Sequence, residues 1–175
     1  LLDHRIDCPE IYGDPALLVS RYYRPRISKT YEFGIIPHYT DEENTALTEF
    51  CRLHPDVLII RMRGYNHWHD IPNQILSCKK VISSSLHGLI ISDSYGVPNA
   101  WVRFSEKIKG GNFKYLDYFA SVGRTTKEPT IIETYQDLES LIFNNDFDLA
   151  RNINYDCIFN ACPFGDSLKR YWDLI

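Results

Sequence analysis

The sequence lacks the features that mark membrane-spanning and nucleic-acid-binding proteins. No apolar run among its 175 residues approaches the length that crosses a bilayer. A basic surplus is also missing: 19 Lys and Arg against 23 Asp and Glu leave a net charge of −4, whereas contacts to nucleic-acid phosphates need a basic surface. The opening residues LLDHRIDCPE lack Met and the layout of a secretory signal, so we expect mid-domain sequence there.

Cysteine patterns that stabilise small secreted domains or bind zinc are absent as well. The five cysteines are an odd number, and no two of them have CxxC spacing. Cys51 and Cys78 lie among apolar helical positions and are expected to be buried thiols. This usage favours a reducing, cytoplasmic environment.

Two further motifs are incomplete. The segment KIKGGNFK at 107–114 lacks the GxxxxGK[ST] arrangement of a nucleotide-binding P-loop. The HWH at 67–69 could bring two imidazoles together, with His38, His87 and Asp70 as further ligands, but no helical HExxH fixes a third ligand. A histidine pair flanking a packing Trp explains HWH more simply, and we expect no metal.

The sequence does contain a regular alternation of strand-like and helix-like segments. Apolar runs predict strands at 31–36, 56–62, 80–84 and 100–105, of which 56–62 should be buried on both faces. Helical spacing of apolar residues predicts helices at 41–53, 70–78, 86–95, 112–122, 134–145 and 165–175. In the helix at 134–145, the expected buried stripe is Leu138, Leu141, Ile142 and Phe143. The predicted fold is α/β: a Rossmann-like parallel sheet with helices on both faces, with 1–175 as a single domain.

Side chains suited to binding and catalysis cluster in the loops that follow the predicted strands. Ligands of an open parallel sheet bind outside the carboxyl ends of its strands. Four of the six histidines fall in three of these loops. The candidates, in chain order, are His38, Tyr39, Asp41, His67, Trp68, Ser83, Ser84, Ser85, His87, Gly88, Lys107 and Lys109.

The stretch SSSLHG, residues 83–88, allows two interpretations. Serine hydroxyls and the free N–H groups of a helix beginning at 86 or 87 could bind an anion, with His87 as a titratable group and Gly88 permitting close approach. Alternatively, Ser84 or Ser85 caps a buried helix in which the histidine is incidental. Asp14, in GDPALL, is likewise either a base or a turn residue that binds its own backbone.

Four segments in order carry a resemblance to a known family. YGDPALLV, FGIIPHYTD, ISSSLHGLIISDSYGVPNAWV and GGNFKYLDYF resemble the polysaccharide pyruvyl transferases, nearest to the branch of bacterial exopolysaccharide synthesis. The likeness covers roughly residues 8 to 122, and ACPF at 161–164 also fits. It implies a fold similar to GT-B glycosyltransferases, with two Rossmann-like domains. The chain would be the C-terminal, donor-binding half, and the family's N-terminal domain would be absent.

The resemblance also implies an activity and roles for residues. Such enzymes transfer a pyruvyl group from phosphoenolpyruvate to a sugar as a cyclic ketal. The His of the LHG motif, here His87, is associated with donor binding and catalysis, and Asp14 or Asp41 would be the base. Many members carry Arg two residues before that His; this chain has Ser85, so Lys107 or Lys109 is expected to contact the donor.

The expected partners follow from the same resemblance. They are phosphoenolpyruvate as donor substrate, with no cofactor, and a sugar or lipid-linked oligosaccharide acceptor. Association with a membrane surface through the acceptor, and a homo-oligomer, are further expectations. Two alternatives stay open: a GT-B glycosyltransferase domain using a nucleotide sugar, and a non-catalytic domain that binds sugars or anions. Nucleotide-sugar enzymes usually present a carboxylate to the ribose, and the helix after SSSLHG offers only Asp93.

Overall fold

The computed structural model describes residues 10–161 and shows the predicted parallel α/β architecture. The helix predicted at 165–175, Cys8, Cys162 and most of ACPF lie outside the described residues. Five parallel strands form one sheet in the order β2-β1-β3-β4-β5. The strands are β1 Tyr31–Ile36, β2 Leu58–Ile59, β3 Cys78–Ser83, β4 Asn99–Arg103 and β5 Thr130–Ile131.

Seven α-helices and one 3₁₀ turn are described within residues 10–161. The turn, Pro15–Leu18, leads directly into the first helix. The helices are α1 Val19–Tyr22, α2 Thr45–Leu53, α3 Asp70–Leu76, α4 Leu86–Ser94, α5 Phe113–Ser121, α6 Tyr135–Asn144 and α7 Tyr155–Asn160. No helix of this part of the chain combines the length and the apolar character that a membrane crossing requires.

Helices cover both faces of the sheet because alternate residues of each strand point in opposite directions. In β1, Ile35 packs with α2 and α6, whereas Ile36 packs with α3 on the other face. In β4, Val102 faces α2 and α6, and Trp101 packs against α4 and α5. The predicted Rossmann-like class, with helices on both faces, is therefore confirmed.

Two predicted elements differ in the structure. The strand expected at 56–62 shrinks to Leu58–Ile59, whose residues are only half-buried, because β2 lies at the sheet edge and pairs with β1 alone. The helix expected from residue 41 begins at Thr45, where the Asn44 side chain accepts the Leu47 N–H at 3.3 Å. The acidic residues 41–43 therefore precede the helix and form part of the loop after β1.

Predictions about buried side chains were mostly confirmed. Cys78 is fully buried, and burial raises the pKa of its thiol to about 11; Cys51 is half-buried. In α6, Leu138 and Leu141 are buried, but the prediction for Phe143 was wrong, since that side chain is 89% exposed. Phe143 lies five residues after Leu138, which places it on the opposite side of the helix.

Candidate functional site

The strand order places a topological switch point between β1 and β3. The sheet order 2-1-3-4-5 is that of flavodoxin-like folds, in which ligands bind where neighbouring strands send their connections to opposite faces. Here β1 leads to α2 on one face and β3 leads to α4 on the other. The loop that begins at Pro37 and the loop at 84–85 therefore meet at the position where this fold binds ligands.

Two of the three serines in SSSLHG connect these loops internally. The Ser84 hydroxyl accepts the His38 N–H at 2.8 Å. The Ser83 hydroxyl accepts the Ser85 N–H at 3.0 Å and lies 3.1 Å from the Ile36 carbonyl oxygen. Both serines are 0% exposed. The hydroxyls of Ser83 and Ser84 are therefore buried and bound to backbone, and substrate binding by these two residues stays a prediction.

Ser85 is the serine whose hydroxyl is available to a ligand. It occupies the N-cap position of α4, as predicted, but its side chain makes no capping hydrogen bond. The residue is 8% exposed, and its hydroxyl has no partner within residues 10–161. Ser85 lines a cleft of about 480 Å³, which we call the His87 cleft; its other walls are Ala16, Val19, Met62, Tyr65, Trp68, Ile71, Pro72, His87 and Ile91.

His87 is exposed in the first turn of α4, directly after the carboxyl end of β3. The His87 imidazole is therefore not a core side chain, whereas α4 itself is buried and begins after Ser85, as the alternative interpretation of SSSLHG predicted. The imidazole borders the His87 cleft together with Trp68, whose ring is 61% exposed. The structure thus brings together His87, Ser85 and Trp68.

Asp41 is a buried carboxylate in the loop after β1. It is 2% exposed, and its Oδ1 accepts the Ser105 hydroxyl at 2.5 Å. Its Oδ2 is buried without a hydrogen-bond partner in the part of the chain described. A buried carboxylate oxygen normally has a partner, so this oxygen is suited to accept a hydrogen bond from a ligand hydroxyl. The contribution of Ser105 was not foreseen from the sequence.

His38 lies beside Asp41 in an environment that favours its neutral form. Burial lowers the pKa of the His38 imidazole below 6.5, the Lys114 charge lowers it further, and the Asp41 charge partly offsets both. The ring packs against Tyr39 with centroids 4.4 Å apart, and the Arg63 guanidinium lies 5.4 Å from the Tyr39 centroid. His38, Tyr39 and Arg63 thus form one wall of the switch point.

Lys114 is the lysine whose charge lowers the pKa of His38. It is half-buried in the first turn of α5, and no carboxylate lies within ion-pair distance of its ammonium in the described residues. The adjacent Tyr115 hydroxyl donates to the Ser84 carbonyl at 2.8 Å, which ties α5 to the loop after β3. Lys107 and Lys109 are exposed on the preceding turn.

Asp14 lies in a different cleft from His87. Its Oδ1 accepts the Ala16 N–H at 2.8 Å and caps the 3₁₀ turn, as the turn interpretation predicted. It borders a cleft of about 730 Å³ that is shared with Lys114 and Phe113. This second cleft and the His87 cleft are bordered by neighbouring residues of α4, since Leu86 and Ile90 line the second cleft and His87 and Ile91 line the His87 cleft.

In the HWH segment before α3, His67 is exposed and His69 is half-buried, and the His69 Nδ1 is buried without a hydrogen-bond partner in the described residues. Within residues 10–161 no group of three or more His, Cys, Asp or Glu is arranged to hold a metal ion. The rings of His67 and His69 are 5.3 Å apart. Asp70 accepts the Asn66 and His67 N–H groups at 3.1 and 2.9 Å and so stabilises this loop. The His67 hydrogen bond, the largest cause, lowers the pKa of Asp70.

The sequence analysis interpreted Gly88 as a residue that permits close approach. In the structure, Gly88 allows α4 to pack closely against Ser83 and Ile36. A Cβ at this position would lie 2.4 Å from the Ser83 hydroxyl and 3.0 Å from Ile36 Cγ2. Gly88→Ala is therefore expected to reduce the free energy of unfolding by about 1–3 kcal/mol through overpacking, although Ala is the better helix former. Urea denaturation measures the change.

The control for Gly88 is a double-mutant cycle with Ser83→Ala. Removing the hydroxyl relieves the closest contact, so the double variant should lose less stability than the sum of the two single changes. Strict additivity, or a stabilised Gly88→Ala, would show that α4 does not pack this closely on the sheet.

Comparisons with known proteins agree with this geometry. The family model described as polysaccharide pyruvyl transferase matches residues 1–106, the part that contains β1 to β4 and the switch point. Uncharacterized protein L143 of Acanthamoeba polyphaga mimivirus is 38% identical over 114 residues, which are 63% of this chain and 39% of that protein. The chain therefore matches well under half the length of this relative. No solved structure matches.

Proposed function

The chain belongs to the polysaccharide pyruvyl transferase family, and from this premise we propose that it is the donor-binding unit of an enzyme that transfers a pyruvyl group from phosphoenolpyruvate to a sugar. The product is a cyclic ketal on an exopolysaccharide or its precursor. The observation that carries the proposal is His87, exposed in the first turn of α4 at the switch point and beside the free Ser85 hydroxyl. Residues 1–175 act as one unit in this proposal.

The chemistry requires an acid at the donor's methylene carbon. An imidazolium is a general acid, and in this proposal the His87 side chain gives its proton to that carbon. The methylene becomes a methyl group, and C2 becomes electrophilic. An acceptor hydroxyl oxygen then bonds to C2, and the C2–O bond to phosphate breaks with its electron pair leaving on phosphate. A second hydroxyl bonds to C2 and closes the ring, and its proton passes to the His87 imidazole, which is neutral after the first step.

Asp41 is the better placed of the two predicted bases. Its Oδ1 is held by Ser105, and its Oδ2 has no partner within residues 10–161, so it can take the proton of an attacking hydroxyl. Asp14 already caps the 3₁₀ turn with Oδ1 and borders the other cleft. In this proposal Asp41 is the base, and His38 and Tyr39 orient the substrate beside it.

The donor is a small polyanion, and the site offers it cations and N–H groups without a metal. The first-turn N–H groups of α4 and the Ser85 hydroxyl face the switch point, and helix N-termini favour anions. Lys114 adds a half-buried ammonium that has no ion-pair partner within residues 10–161. Lys107 and Lys109 extend the same basic stretch into solvent. Many members of the family carry Arg at the position of Ser85. In this proposal, these N–H, hydroxyl and ammonium groups bind the donor in place of that Arg.

The structure provides an argument against a nucleotide-sugar donor. Asp93, the carboxylate that α4 could present to a ribose, has a side chain that is 0% exposed and pairs with Arg124 at 3.2 Å. The Tyr118 hydroxyl also donates to it, at 2.7 Å. Because the Asp93 carboxylate is bound by Arg124 and Tyr118, it is not available to bind the ribose of a nucleotide sugar. This counts against the GT-B glycosyltransferase alternative.

The proposal also includes the cellular compartment of the reaction and the partners of the protein. Phosphoenolpyruvate is a cytoplasmic metabolite, so we place the reaction in the cytoplasm. A lipid-linked oligosaccharide acceptor would bring the enzyme to a membrane surface without a spanning helix. The exposed aromatic side chains Tyr39, Tyr65 and Trp68 suit saccharide contacts and also self-association as a homo-oligomer.

Thermal unfolding with four ligands tests the donor. Phosphoenolpyruvate at one hundred times its Kd should raise the Tm by about 5–10 °C, since such binding adds about 2.7 kcal/mol to a chain of this size. UDP, GDP and CMP at the same concentration should leave the Tm unchanged. Inorganic phosphate is the control for a general anion effect. A shift with a nucleotide alone would favour the glycosyltransferase, and no shift with any ligand would contradict the proposed donor.

A further inference from the structure

Trp68 combines high exposure with rigid support from behind. Its ring contacts the Tyr23 ring edge-on, with centroids 5.0 Å apart, and the His69 ring at 5.7 Å. Tyr23 is itself fixed, because its hydroxyl donates to Asn73 Oδ1 at 2.9 Å and its carbonyl accepts the Tyr95 hydroxyl at 2.8 Å. Even so, Trp68 remains 61% exposed. An aromatic plane held in place and left open is a preorganised surface for stacking.

Besides the Trp68 ring, the His87 cleft has a second aromatic wall, apolar side chains and two polar groups that could bind a saccharide. Tyr65 is a second aromatic wall, 52% exposed, and Met62 and Val19 are apolar. Ser85 is more than nine-tenths buried, and its hydroxyl lacks a partner in the residues described. His87 supplies a second polar group at the rim. Ligand sites typically combine apolar walls with a few polar groups in this way, and about 480 Å³ lies within their usual size range.

We infer that the His87 cleft binds the acceptor saccharide, with one pyranose ring stacked on Trp68 and its hydroxyls within reach of Ser85 and His87. A pyranose has one face of C–H groups and a polar rim, which matches an aromatic plane bordered by two polar side chains. The inference rests on the proposed function for the identity of the occupant. In this arrangement Ser85 and His87 border both substrates, and the donor lies at the first-turn N–H groups of α4 on the side of Lys114.

Fluorine NMR of the full chain labelled with 5-fluorotryptophan tests this assignment. The titrants are methyl pyranosides of glucose, galactose, mannose and N-acetylglucosamine, and the Trp68 resonance is identified from its loss in Trp68→Phe. At least one pyranoside should shift the Trp68 resonance saturably. Trp101, which is 4% exposed in the core, should not shift. Trp68→Ala should weaken that pyranoside's binding at least about tenfold, as for a truncated aromatic anchor, whereas Trp68→Tyr should retain it within about threefold.

The outcomes separate this inference from the proposed function. Trp68→Ala should leave the phosphoenolpyruvate-induced rise in Tm unchanged. If phosphoenolpyruvate raises the Tm but no pyranoside shifts the Trp68 resonance, the inference is overturned and the donor assignment is left intact. Saturable pyranoside binding without any response to phosphoenolpyruvate would support the cleft and contradict the donor. A Trp68 resonance that shifts with protein concentration but not with sugar would identify a surface between two copies of this chain and overturn the inference.

Discussion

His87→Ala is expected to lower the rate of pyruvyl transfer by about 10²–10⁴-fold, the usual contribution of one general acid. The physical reason is the loss of the proton that must reach the methylene carbon before C2 can be attacked. Because His87 is exposed at the first turn of α4, its truncation removes no core contact, and the Tm should stay within about 1 °C of wild type. The measurement is release of inorganic phosphate from phosphoenolpyruvate, in the presence of a saccharide acceptor, by a protein that contains this chain.

Two further variants make the result for His87 specific. His87→Asn keeps hydrogen-bonding groups but cannot titrate, so it should retain the phosphoenolpyruvate-induced rise in Tm and show little turnover. His54→Ala is the control, because His54 ends α2 on the other side of the sheet, where it lies 3.2 Å from the exposed Glu139 and stacks on Phe50 with centroids 4.3 Å apart. It should leave turnover unchanged. Wild-type turnover in His87→Ala, or a loss of activity that merely follows a lower Tm, would contradict the role of His87 as the acid.

The strands and helices that the sequence predicted well are those that depend on local patterns. Buried runs such as Tyr31–Ile36 have both faces covered, so their apolar pattern is continuous and easily recognised. The pattern at 56–62 is equally apolar, yet only two residues pair as a strand, because this strand became the sheet edge. Strand order depends on contacts between distant segments, and one sequence carries little signal for it. The short β5 had no apolar pattern to predict it.

The candidate site was predictable in its location and less so in its details. Predicting that His38 and His87 lie in loops at one edge of the sheet required only the rule that ligands bind at strand carboxyl ends, whereas the adjacency of β1 and β3 depends on the strand order. Which serine hydroxyl is available to a ligand depended on packing. The Ser83 and Ser84 hydroxyls are buried and hydrogen-bonded to backbone, whereas the Ser85 hydroxyl has no partner within residues 10–161. The hydrogen bond between Asp41 and Ser105 spans 64 residues and joins the loops after β1 and β4. It becomes visible only when the order of the strands is known.

The buried ion pair between Arg124 and Asp93 was not foreseen at all, and it is expected to have the largest effect on stability. The side chains of Arg124 and Asp93 are 1% and 0% exposed, and their closest atoms are 3.2 Å apart. Asp93 also accepts hydrogen bonds from the Asn99 amide, the Tyr118 hydroxyl and the Ala150 N–H, at 2.8, 2.7 and 3.1 Å. The carboxylate thereby joins α4, β4, α5 and the segment before α7.

Arg124→Ala is expected to reduce the free energy of unfolding by about 3–5 kcal/mol, because it leaves the Asp93 charge buried without its cation. The variant also loses the packing of the guanidinium, whose carbon lies 4.5 Å from the Phe119 ring centroid. Urea denaturation should show a lower midpoint with an unchanged m-value.

Two comparisons distinguish loss of the buried pair from loss of any arginine. Arg151→Ala removes an exposed guanidinium that lies 3.5 Å from Asp148, and such surface pairs contribute about 0–1 kcal/mol. The double variant Arg124→Leu with Asp93→Leu removes both charges, so it should be more stable than Arg124→Ala alone even though Tyr118 and Asn99 lose an acceptor. If Arg124→Ala and Arg151→Ala had equal effects on the free energy of unfolding, the buried pair would contribute no more than a surface contact.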